Sequence, residues 1–126
     1  MQTVILIFAV LAALFHVMAF VMESLLFMRP QVHKRFGAQT PEQAEATRLF
    51  AFNQGFYNLF LATGCFVGLG LWYTDHVIVG STLVLFSCAC MLGAALVLLS
   101  SAPGMLRPAI YQGLPPAIVL GSYFLA

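Results

Sequence analysis

The residues of this chain best suited to chemistry are polar groups set in apolar surroundings. His16 and Glu23 interrupt the run from Thr3 to Met28; Asn53, Gln54, Tyr57 and Asn58 interrupt the one that follows Arg48; Tyr111 and Gln112 do the same near the end. Such groups are costly in hydrocarbon unless partners meet them, so they must look into protein or a polar cavity rather than lipid. At about 100° per residue, positions 53, 54, 57 and 58 fall within an arc of roughly 140°, one face of a helix. His16 and Glu23 lie about 20° apart around their own axis and point the same way. The inventory is a carboxyl group, an imidazole, two phenols and four amides. These are groups that hold the polar end of a ligand or move a proton.

The elements that position them follow from composition. Of 126 residues 62% are hydrophobic and 7% charged, far below the ~25% charged share of soluble domains, so we read one all-α membrane domain over 1–126. A net charge of +1 gives no basic footprint and excludes nucleic acid as a partner. The N-terminal run has no basic n-region and is longer than the ~7–15 residues of a signal-peptide core, so we expect it to stay as a spanning helix. Spans are expected at about 3–28, 48–72, 77–99 and 109–126, a four-transmembrane-helix bundle in which each run is close to the ~20 residues that cross a bilayer.

Punctuation marks the ends. Arg29-Pro30 stops the first helix, and Thr40-Pro41-Glu42-Gln43 opens the second, with Thr40 as N-cap, Pro41 at the first helical position and Gln43 at the third. Gly64 and Gly68 match a small-xxx-small packing pattern, and Trp72-Tyr73 mark a membrane interface. Pro115-Pro116 kinks the last span next to Gln112 and frees backbone carbonyls there. Cys65, Cys88 and Cys90 sit in apolar runs and read as small hydrophobes; Cys88-Ala-Cys90 has no His or carboxylate near it in sequence, so no metal site is expected. His33 and His76 fall in connections and are expected to be solvated. With four spans all five Lys and Arg residues lie on one side, which the positive-inside rule places in the cytoplasm of a bacterial inner-membrane, multi-pass protein with both termini outside.

Depth counts at ~1.5 Å per residue put Glu23 about 9 Å in from Arg29, Asn53 about 8 Å in from Arg48 and Gln112 about 6 Å in from Pro108. Tyr57 and Asn58 come deeper, and His16 deepest, at about 20 Å. If these faces converge, they line a pocket open to the cytoplasm. Whether Glu23 is charged there depends on a competition: loss of water favours the neutral acid, while Arg29 or Arg48 reaching inward would favour the carboxylate.

The pair His16-x6-Glu23, then Phe36-Gly37, then Asn53-Gln54-Gly55-x-Tyr57-Asn58 and a late Tyr111-Gln112-Gly113 resembles the bacterial membrane family catalogued as domain of unknown function 1304. The resemblance covers nearly the whole chain and is most specific in the Asn-Gln-Gly-x-Tyr-Asn string. It implies the architecture and the choice of site residues and carries no activity.

Three readings compete. In the first, His16, Glu23, Asn53, Gln54, Tyr57, Asn58, Tyr111 and Gln112 line a pocket for a small lipophilic molecule, in a transporter coupled to protons through Glu23. The layout resembles small multidrug exporters, although the charge bias and the motifs differ. In the second, the chain is an intramembrane isomerase or hydrolase with Glu23 and His16 as acid and base; about 10 Å separates the two along the axis, so they would serve opposite ends of a substrate. In the third, the polar face glues helices or seals a homo-oligomer, each interhelical bond contributing about 0.6 kcal/mol, with the Gly64/Gly68 face as a second packing surface. No cofactor is expected. Haem held by His16 is the one alternative, and it would need a second axial ligand or a partner subunit.

Overall fold

The apolar runs become helices because nothing in them competes with the backbone ladder, and the breaks fall at Pro, Gly and short polar stretches. The computed structural model describes all residues 1–126 as helices and turns. In chain order these are α1 (Gln2–Phe20), a π-helical turn (Val21–Leu25), the short α2 (Pro30–His33), a 3-10 turn (Lys34–Phe36), α3 (Pro41–Trp72), α4 (Val77–Ser101), a 3-10 turn (Pro103–Met105) and α5 (Leu106–Phe124). Three stretches are long and apolar enough to cross a membrane: Gln2–Leu25, Pro41–Trp72 and Val77–Ser101. The chain is therefore an all-α, multi-span membrane protein. Leu11, Leu14, Ile78, Phe86 and Val97 stand exposed along these helices, the surface that lipid and not water would cover.

Capping sets where α3 begins. The Gln43 backbone N–H donates to Thr40 Oγ1 at 3.2 Å, and Gln43 Oε1 accepts from the Gln39 N–H at 2.7 Å. Two otherwise orphaned donors are thus satisfied at the expected start, with the return bond one residue upstream of the usual capping box.

The chain divides into two compact units, residues 1–15 with 61–126, and residues 16–60. In the first, small residues let helices approach. Ala9, Ala12, Ala13, Cys65, Val84, Cys88 and Met91 are fully buried, and the Cys65 thiol donates to the Ala9 carbonyl at 3.5 Å. Gly68 and Gly80 mark the tightest crossing, between α3 and α4. A Cβ on Gly80 would overlap the Trp72 backbone nitrogen and lie 2.6 Å from Trp72 Cα, and one on Gly68 would lie 2.8 Å from Leu83 Cβ. Gly64 faces Ser87 in the same way, so α4 of the same chain fills the Gly64/Gly68 surface. Beyond it, α5 packs on α4 through Gly113 and Ala95, and Tyr123 meets Trp72 edge-on at 6.0 Å between ring centroids. The α5 helix continues through Pro115 and Pro116. Neither residue can donate to a carbonyl four positions back, so those of Tyr111 and Gln112 lose their helical partners.

The second unit holds the loop that the sequence reads as solvated. His33 is instead 1% exposed. Pro30 starts a one-turn helix that doubles back, Gly37 takes a φ of 90° that side-chain-bearing residues avoid, and His33 and Ala38 close the loop with two bonds. The Ala38 N–H donates to the His33 carbonyl at 3.1 Å, and His33 Nδ1 lies 2.7 Å from the Ala38 carbonyl. A carbonyl only accepts, so Nδ1 carries the proton. Phe27, Ala38 and Ala44, with Phe36 and Ala51 against them, form a small apolar core under this loop.

Candidate functional site

The site is built in residues 16–60, around the π-helical turn. The Leu26 N–H reaches the Val21 carbonyl at 3.0 Å, five residues back, inserting one residue into the turn that contains Glu23. Glu23 is 8% exposed, and its Oε1 accepts a hydrogen bond from Asn58 Nδ2 at 2.9 Å. The same Nδ2 also donates to the Gln54 carbonyl at 3.2 Å, which holds the amide in place on α3. Next to it, Ser24 Oγ donates to the Phe52 carbonyl at 2.8 Å. A Cβ on Gly55 would overlap Ser24 Oγ and sit 3.0 Å from the Ser24 nitrogen, so glycine is what lets these segments approach. Phe20 and Phe56 flank the contact edge-on at 5.1 Å.

Glu23 opens onto a cleft of about 590 Å³, within the range of small-molecule sites. Its walls are Phe27, Phe36, Phe50 and Ala51, with Gln43, Thr47 and Gln54 as polar groups and Gly37-Ala38 of the loop at one edge. Asn58 Nδ2 is the donor to Oε1, and the protein supplies no hydrogen bond to Oε2. Arg48 pairs at 3.6 Å with Glu45 on the exposed side of α3 and does not reach inward.

The residues singled out in the sequence therefore separate. Glu23, Asn58 and Gln54 meet at or beneath the cleft. Asn53 is exposed and donates to the Leu49 carbonyl of its own helix at 3.1 Å. Tyr57 is 65% exposed. His16 is fully buried but is not part of the cleft lining. Tyr111, 63% exposed, and the half-buried Gln112 belong to the other unit and do not contribute to that lining either. Sequence reasoning assigned no role to Ser24, Thr47, Phe27 or Phe50, and named Gly55 and Phe36 only as part of the family resemblance. The approach of Ser24 to Gly55 pairs two small residues that carry no periodic signal, and Phe27 and Phe50 look like any lipid-facing aromatics.

A family model described as a protein of unknown function, DUF1304, matches residues 10–124. Neither curated proteins nor solved structures yield a match.

Proposed function

We propose that this chain, which belongs to the DUF1304 family, binds a small lipophilic molecule in the cleft of residues 16–60. The observation that carries the reading is the Glu23 carboxyl group, held at the cleft floor by Asn58 with one oxygen uncommitted and aromatic side chains around it. A membrane helix that needs only to be glued to another has no use for an open carboxyl oxygen, whereas a ligand's polar head does. Phe50, 75% exposed at the cleft wall, offers an apolar approach from the bilayer. The activity we attach to this site is proton-coupled transport, since a carboxyl group can exchange a proton for a bound ligand on the same oxygen. In this reading α5 is the fourth span, residues 1–126 form one domain of an inner-membrane protein with both termini outside, and the cleft faces the cytoplasm beside the basic first connection.

The intramembrane-enzyme reading ranks behind it because it needs His16 at the same cavity as Glu23, and the lining lacks His16. The test is to purify wild type and Ala51→Trp, whose indole would fill the cleft, in the same mild detergent and extract both for mass spectrometry. A lipophile carried by wild type and missing from the variant supports the reading. Identical extracts would remove it.

A further inference from the structure

The charge balance of the cleft says what kind of head group it accepts. Among its lining residues Glu23 is the one ionisable side chain, and none is Lys, Arg or His. Of the neighbouring polar groups, Gln43 and Gln54 carry amides that can donate as well as accept, while Thr47 is fixed as an acceptor. Thr47 spends its hydroxyl proton on the Gln43 carbonyl at 3.0 Å, so its oxygen offers only lone pairs. Glu23 Oε2 receives nothing from the protein. Facing these acceptors are Phe27, Phe36 and Phe50, whose ring faces attract cations and repel anions.

We propose that the cleft selects organic cations, taking a primary or secondary ammonium head on an apolar tail, with the head seated on Glu23 Oε2. The proposal rests on reading the cleft as a ligand site and adds the charge of what occupies it. An ammonium N–H donates to Oε2 in a charge-assisted bond, and its remaining hydrogens have the Thr47 oxygen and the ring faces for partners. A carboxylate or phosphate head would be brought against Glu23 with no cation to compensate it. A neutral alcohol keeps one hydrogen bond and loses the charge term. A quaternary ammonium keeps the ring faces and loses every N–H.

The experiment uses three probes with the same tail, octylammonium, octanol and octanoate, measured by equilibrium dialysis at neutral pH against wild type, Glu23→Gln and Ala51→Trp in one nonionic detergent. Ala51→Trp supplies the baseline for partition into micelles. The expected result is octylammonium bound by wild type above that baseline, weakened about tenfold or more in Glu23→Gln, with octanoate at baseline throughout. Octanol or octanoate bound as tightly as octylammonium, or octylammonium bound equally by wild type and Glu23→Gln, would overturn the cation assignment and leave the cleft as a site for another class. If no probe exceeds the baseline in wild type, the ligand-site reading falls and this proposal with it. If Glu23→Gln does not fold, the ranking of the three probes in wild type decides alone.

Discussion

Replacing Asn58 with leucine tests the contact on which the cleft floor depends. The bond from Asn58 Nδ2 to Glu23 Oε1 is 2.9 Å long, between side chains that are each 8% exposed, and it joins residues 35 apart in sequence. Removing one partner of a buried hydrogen bond costs about 1–3 kcal/mol, because the other is left unsatisfied. In membranes the coupling is smaller, averaging about 0.6 and reaching about 1.7 kcal/mol, since the unfolded chain also finds partners in the bilayer. A carboxyl acceptor at this distance belongs near the upper end, so we expect a coupling of about 1–1.5 kcal/mol and a total loss for Asn58→Leu of about 1.5–2 kcal/mol. Reversible unfolding in mixed micelles, run on Asn58→Leu, Glu23→Leu and the double variant, measures both quantities. The double variant should be more stable than the sum of the single losses implies, because it leaves no orphaned group. Strictly additive losses, within about 0.5 kcal/mol, would mean that the bond does not form in the folded protein.

Gly80→Ala should cost about 1–3 kcal/mol in the same assay, because the new methyl group meets the Trp72 backbone, which cannot move aside cheaply. Gly93→Ala, with open space around its Cβ position, should be neutral or stabilising by up to about 1 kcal/mol and serves as the control. Gly37→Ala forces a side chain into a φ of 90° and should cost about 1 kcal/mol. It should also speed hydrogen exchange at the Ala38 amide that closes the loop onto His33.

What the sequence made legible follows from the range of the forces involved. The long helices are local: apolar runs ended by Pro and Gly leave little choice, and the Thr40–Gln43 start is written in four adjacent residues. The polar face of α3 was legible only as a face. An arc of roughly 140° is wider than the strip a neighbouring helix covers, so Asn58 turns inward while Tyr57 stays out. Asn53 shows a second reason, since a short amide can satisfy itself on its own backbone and need not mark a pocket. Burial of His33 is a tertiary event, set by a loop that folds back over Phe27 and Ala44, and no local pattern announces it. Gly68 could be recognised as a packing residue, but which helix fills its surface depends on the turn after Trp72.

The π-helical turn accounts for what helical phase alone could not. Consecutive side chains on an α-helix diverge by about 100°, so Glu23 and Ser24 should not both engage the same neighbour. Here they do: Glu23 accepts from Asn58 while Ser24 donates to the Phe52 carbonyl, both on α3. The residue inserted between Val21 and Leu26 widens the turn and makes this possible. The arrangement is expensive. Gly55 costs about 1 kcal/mol relative to alanine in a helix, and a buried carboxyl group gives up water for a single amide partner. An apolar pair of similar volume is often as stable as a buried polar one, or more so. Two helices that required only attachment could use such a pair, without a π turn and without a glycine. Departures from helix grammar that add no stability are expected where function is carried, and here two of them, the π turn and Gly55, converge on the carboxyl group that opens into the cleft.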